Sequence, residues 1–141
     1  MTVTIASQPS GFTISPTSMS VAVYVAATPT LEPLTVALTA GDGKVTLAPQ
    51  TAAAGFTFHY ASSNATAAAP AYGANISTVG TTTAYTTSVD ITGTNGTPMF
   101  VRVYKVNGSN LIVGFGEASA TPTATPNPGG GLPPDYPVIN F

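Results

Sequence analysis

Apolar and polar side chains alternate most regularly from Met99 to Val106, just after the turn residues Asn95-Gly96-Thr97-Pro98. Met99, Val101 and Val103 share one face of the predicted strand; Phe100, Arg102, Tyr104 and Val106 share the other. The same period of two recurs in Leu34, Val36 and Leu38, in Val45-Thr46-Leu47, and in Phe56, Phe58 and Tyr60. Ile76–Val79 predicts a short edge strand, Ala84–Ile91 a longer strand, and Leu111-Ile112-Val113 with Gly116–Ser119 a last one. Ala40-Gly41-Asp42-Gly43-Lys44 reads as a turn, since Gly and Asp accept its backbone angles. The Ala-rich pieces carry Pro, Gly and Thr and show no apolar repeat near 3.6 residues, so helix is nearly excluded. The pattern predicts an all-β, antiparallel fold.

Punctuation divides the chain into a β-rich N-terminal arm (1–32), a sandwich-forming region (33–122) and a C-terminal tail (123–141). In the arm, Val3 and Ile5 alternate with Thr, and Met19, Val21, Val23 and Val25 give its cleanest strand pattern. The arm is either separate or an extra hairpin on the sandwich. After Pro122 the composition turns to Pro, Thr and Gly, a linker of mixed stiffness. It ends in Leu132-Pro-Pro-Asp-Tyr136-Pro-Val138-Ile139-Asn-Phe141, too apolar for a tail left in water.

Residues 33–122, about 90 in number, resemble a fibronectin type III domain, an immunoglobulin-like β-sandwich. The resemblance rests on Asn95-Gly96-Thr97, the following strand and its closing Val106-Asn107, and on Thr83-x-Tyr85-Thr86-x-x-Val89 before it. In the family's order, Leu34–Leu38 would be strand A, Val45–Leu47 strand B, Phe56–Tyr60 strand C, Ala84–Ile91 strand E and Met99–Val106 strand F. Two signature aromatics are replaced. Ala48-Pro49 stand where the family places a core Trp, and Met99 stands at its corner tyrosine. Lys105 occupies a position that is usually small. The aromatics Phe56, Phe58 and Tyr60 are expected to fill the vacated space.

Composition narrows the function classes. Hydrophobic residues make up 43% of the 141-residue chain, enough for a core, whereas charged residues are only 6%. An ordinary soluble domain carries about 25%. A surface so poor in charge keeps copies apart weakly, which points to packing among other proteins or to a Thr-rich secreted module. A net charge of −2 with three basic residues argues against nucleic acid. Without cysteine there is no disulfide or thiol chemistry, and a single His makes a zinc site improbable. No apolar run reaches the ~20 residues of a membrane-spanning helix. The first eight residues lack the basic and apolar regions of a secretory leader, so release by lysis in a virus particle is one expected route.

Catalysis requires proton-exchanging or nucleophilic groups held together. His59 lies between Phe58 and Tyr60 on the opposite face of its strand and reads as a partly exposed strand histidine. No serine sits in a nucleophile motif, and Glu32, Asp42 and Glu117 are too scattered for a carboxylate pair or calcium loop. Asn64-Ala-Thr66, Asn75-Ile-Ser77 and Asn107-Gly-Ser109 match the glycosylation pattern, as chance allows in a chain this rich in Asn, Ser and Thr. The expectation is a protein that is not an enzyme and takes no cofactor or metal.

Two function classes follow. A small sandwich with a β-rich arm and a Pro-rich arm looks like a bacteriophage capsid decoration or cement protein, or an appendage subunit, located on a virion surface or otherwise outside the cell. Its partners would be other protein subunits or copies of itself. Candidate contacts are Met19, Val21, Val23 and Val25 in the first arm; Phe100 and Tyr104 on the central strand; and Leu132, Tyr136, Val138, Ile139 and Phe141 in the tail. An apolar row through Phe100, Tyr104 and Val106 must be covered by something, either a partner or the N-terminal arm. The alternative is an extracellular adhesion or carbohydrate-binding module that stacks glycans weakly on Tyr72 and Tyr85.

Overall fold

The computed structural model describes residues 26–126 and the backbone of two short strands, β1 (Thr2–Thr4) and β2 (Ser18–Ser20). These two pair antiparallel, Val3 opposite Met19, as a two-stranded sheet of their own. The remaining strands are β3 (Glu32–Pro33), β4 (Leu38–Gly41), β5 (Lys44–Leu47), β6 (Phe56–Ser63), β7 (Thr83–Tyr85), β8 (Val89–Thr92), β9 (Met99–Asn107) and β10 (Ile112–Ala120). They form a five-stranded sheet in the order β3-β10-β9-β6-β7 and a three-stranded sheet in the order β4-β5-β8. All pairs are antiparallel except β3 with β10, which is parallel.

Val45, Leu47 and Ile91 of the smaller sheet share one buried cluster with Phe58, Tyr85, Met99, Val101 and Val103 of the larger. The two sheets therefore pack face to face as an all-β sandwich. Each such side chain removed from water contributes roughly 1.5–3 kcal/mol. Leu34, Val36, Leu38, Tyr60 and Val89 line the cluster half-buried. At its margin Tyr60 lies edge-on to Tyr85, with ring centroids 5.6 Å apart and planes at 89°. Phe58 and Tyr60 thus join the core as expected. Phe56 instead lies under the Lys105 ammonium, 4.6 Å from its ring centroid.

The inward row of β10 is built from small residues, and the reason is steric. Opposite Lys105, Val103, Val101 and Met99 stand Gly114, Gly116, Ala118 and Ala120. This row leaves room for the segment entering β4, which crosses close enough for Leu34 N to donate to the Phe115 carbonyl at 3.0 Å. A β-carbon on Gly116 would overlap the Leu34 carbonyl oxygen. A bulge between Ile112 and Gly114 returns Ile112 to the outer face beside Val106.

Several expectations change. Of the strand predicted over Leu34–Leu38, only Leu38 lies in a strand; residues 34–37 form the crossing segment between strands at Glu32–Pro33 and Leu38–Gly41. Ala84–Ile91 is not one strand. Tyr85 ends an edge strand of the larger sheet, and Val89 begins an edge strand of the smaller, so the chain changes sheets through Thr86–Ser88. Ile76–Val79 is a turn of 3-10 helix, capped by Asn75, whose side-chain oxygen accepts from Ser77 N at 3.0 Å. A side chain bonded to its own downstream backbone competes with strand pairing.

The outer face of the larger sheet is covered by the chain itself. Tyr104 is 2% exposed, and Val106 and Ile112 are fully buried, beneath Ala74, Ile76 and Val79 of the β6–β7 connection and beside Leu31. Tyr104 also packs on Phe115, centroids 5.5 Å apart. Among the described residues, the cover comes from this connection and from Leu31. Its place in this second cluster corrects the expectation that Tyr104 is an outward contact.

Candidate functional site

Charge is almost fully used within the fold. All three basic side chains of the chain have carboxylate partners: Lys44 with Asp90 at 2.5 Å, Lys105 with Glu32 at 2.7 Å, and Arg102 with Glu117 at 3.7 Å. The first lies on the exposed face of the smaller sheet, where such pairs contribute little. Its Asp90 carboxyl is held below the usual range by the Lys44 and Thr46 hydrogen bonds. The Arg102–Glu117 pair is only 14% and 18% exposed and acts as a clasp. Arg102 donates to Ser63 Oγ at 2.6 Å, while Glu117 accepts from Thr66 Oγ1 and Ala67 N, fastening the β6–β7 connection to the sheet. Phe100, one step along the same row between Ser63 and Ser119, is half-buried.

The two ends of the sandwich differ. At one end the β4–β5 hairpin turns through Asp42-Gly43, with Gly43 at φ 64°, a conformation that suits glycine. Asn95 clamps this turn by accepting from Gly43 N and donating to Asp42 Oδ1, each at 2.8 Å. That bond to Asn95 holds the Asp42 carboxyl below its ordinary range. The chain leaves the sandwich here: Gly96 N donates to the Pro122 carbonyl at 2.9 Å and Thr123 N to the Gly41 carbonyl at 3.1 Å.

At the opposite end, beyond Leu47, lies a cavity of about 320 Å³ lined by Gln50, Ala52, Phe56, Phe58, Ala84 and Tyr85. Gln50 is fixed by donating to the Thr35 carbonyl at 2.7 Å. The cavity opens beside β7, which occupies the edge of its sheet. Thr57 and Thr86 complete the lining, so the walls combine aromatic rings with the uncharged polar side chains of Gln50, Thr57 and Thr86 and hold no charged group. Sequence reading missed this cavity, because it arises where the chain changes sheets after Tyr85. Phe56, Phe58 and Tyr85 were each visible in the sequence, but not that they meet.

Tyr85 is 6% exposed, and its hydroxyl is buried with no hydrogen-bond partner. Its face is therefore not available to a sugar, whereas Tyr72, at 45% exposed, keeps that option. Burial pushes the Tyr85 pKa up to about 12. An unpaired buried hydroxyl costs about 1–3 kcal/mol. Tyr85→Phe is accordingly expected to raise the melting temperature by a few degrees. The parent protein should lose stability from pH 10, where the unfolded phenol ionises, up to about 12, and the variant should lose less. Tyr104, also raised by burial against the opposing Arg102 charge, keeps part of that slope. Alkaline melts of both proteins measure the difference.

Burial lowers the His59 pKa, so the imidazole is neutral at physiological pH, with Nδ1 3.4 Å from Thr82 Oγ1. No metal-holding group of His, Asp and Glu exists among the described residues, and no helix among them is long and apolar enough to cross a membrane. Of the other sequence-predicted contacts, Met19 sits on β2, of which only the backbone is described. Val21, Val23, Val25, Leu132, Tyr136, Val138, Ile139 and Phe141 lie outside the described residues. In comparisons with known proteins, no family model, curated protein or solved structure matches this chain.

Proposed function

We propose that the chain is a non-enzymatic structural subunit of an extracellular or virion assembly, a decoration or cement protein of the kind found on phage capsids. The observation that carries this reading is the mismatch between the sandwich and its C-terminal extension. The sandwich buries its large apolar residues and pairs its cations. The extension places Leu132, Tyr136, Val138, Ile139 and Phe141 within ten residues. Its prolines favour an extended shape that offers these side chains to a neighbouring surface. Many weak contacts of this sort add up through avidity.

A fibronectin type III-like identity for the sandwich agrees with this role. It is supported by the strand order, three strands (β4-β5-β8) facing four consecutive neighbours (β10-β9-β6-β7), with β3 added along β10. Deleting residues 129–141 is expected to leave the melting temperature within about 2 °C, since surface changes away from packed features are small. Attachment to the native particle should fall at least tenfold. Unchanged attachment, measured by co-sedimentation, would overturn the role given to the tail. The second reading, a glycan-binding module, draws on Tyr72 alone; Tyr72→Ala abolishing retention on a glycan array would favour it.

A further inference from the structure

The hairpin that joins β9 to β10 carries chemistry of its own. The chain has two Asn-Gly steps, Asn95-Gly96 and Asn107-Gly108, and the structure treats them oppositely. We propose that Asn107 is a self-modifying site, its side-chain amide cyclising onto Gly108 N and opening to aspartate or isoaspartate, while Asn95 is held inert. In this step Gly108 N gives its proton to a solvent base and bonds to Asn107 Cγ. The Cγ–Nδ2 bond then breaks, and the amide nitrogen takes up a proton and leaves as ammonia. Water opens the resulting five-membered imide at either carbonyl. One opening yields aspartate, the other isoaspartate with an extra carbon in the backbone.

Negative charge builds on Asn107 Oδ1 as the nitrogen attacks. That oxygen already accepts two backbone N–H bonds, from Ser109 N and Leu111 N, each at 3.0 Å. Fixed donors at this range stabilise an oxyanion. They are fixed by the hairpin, in which Asn107 N donates to the Leu111 carbonyl at 3.0 Å and Asn110 N to the Asn107 carbonyl at 2.9 Å. The attacking group is unencumbered. Gly108 is exposed and has no β-carbon, and its N has no hydrogen-bond partner among the described residues.

Asn95 is exposed as well, so accessibility does not separate the two. Its neighbour's nitrogen is occupied, since Gly96 N donates to the Pro122 carbonyl at 2.9 Å. Its Oδ1 has a single backbone donor, Gly43 N, and its Nδ2 donates to Asp42 Oδ1. The Asp42 carboxylate opposes a second negative charge forming beside it. Conversion of Asn107 adds one negative charge to a chain whose formal net charge is −2. The isoaspartate form also lengthens the backbone near the Asn110 carbonyl, which accepts from Ile76 N at 3.0 Å and so helps to hold the β6–β7 connection.

The full-length chain, kept folded in mildly alkaline buffer, tests this by peptide mapping with mass spectrometry and by enzymatic methylation specific for isoaspartate. A parallel sample in denaturant keeps both Asn-Gly steps and removes their surroundings. Folded chains should convert Asn107 faster than Asn95 by about tenfold or more, with both isomers formed, and faster than denatured chains do. Denatured chains should convert the two at similar rates. Gly108→Ala, which adds a carbon into open space, should fold normally and suppress conversion by crowding the attacking nitrogen. Hydrogen exchange at the Ile76 amide should quicken in the isoaspartate fraction. Equal folded rates, Asn95 converting first, or Asn107 converting more slowly folded than denatured would overturn the assignment. Aspartate without isoaspartate, or a Gly108→Ala chain that converts as the parent does, would overturn the cyclic route. Unchanged Ile76 exchange would overturn the link to the β6–β7 connection.

Discussion

Val101→Asp is expected to remove the protein from the soluble folded fraction. Val101 is fully buried within the cluster that joins the two sheets. Its register partners on the five-stranded sheet, Ser62 and Ala118, are uncharged, and its strand neighbour Arg102 lies on the opposite face, paired with Glu117. The new carboxylate would be stranded without a partner, at a cost of several kcal/mol whether it stays charged or takes up a proton. A small domain has about 5–15 kcal/mol in total. Soluble yield and thermal melting measure the effect. A melting temperature near that of the parent would put Val101 on the outer face, one residue out of register.

Gly116→Ala should cost more than any other single methyl group added to a described glycine. The added carbon would press into the Leu34 carbonyl, with the carbonyl carbon and Val36 Cγ2 each only 3.0 Å away. These are backbone atoms and a branched side chain, unable to swing aside as the end of a long side chain would. Relief requires lifting the segment that Leu34 N anchors to Phe115. Overpacking of this kind costs about 1–3 kcal/mol, each unit lowering the melting temperature by roughly 4–8 °C in a domain of this size. Faster hydrogen exchange at the Leu34 amide should accompany the loss. Gly108→Ala, where an added carbon meets nothing within 4 Å, is the control and should be near neutral.

The strand at Met99–Asn107 was legible because both of its faces are buried by different layers, so the two-residue period is complete on each. The hairpin at Asp42-Gly43 was legible because only a few residue types accept its angles. Ile76-Ser-Thr-Val misled because β-branched residues suit strands, while the deciding signals were its neighbours, the capping Asn75 and Gly80 at φ 88°. The passage from β7 to β8 carries no Gly or Pro, and a period of two has no marker for which sheet a strand joins. The covering of Tyr104 was hidden for a related reason. The segment that covers it is small and polar on average, and its few apolar residues, Ala74, Ile76 and Val79, are effective only where the Arg102–Glu117 clasp holds the connection down. Gly114, Gly116, Ala118 and Ala120 were visible as small residues, but their purpose depends on a segment about 80 positions earlier.

The parallel pairing of β3 with β10 has a mechanical meaning. The sandwich begins at one of these strands and ends at the other, and both run in the same direction. A pull on the two ends of the domain drags the start of β3 one way and the finish of β10 the other, along their common axis. The load then falls on the Leu34–Phe115 bond and its ladder neighbours together, in shear, instead of opening them one after another. A domain loaded in that direction resists extension more than one peeled from a hairpin end, an arrangement suited to a tether under tension.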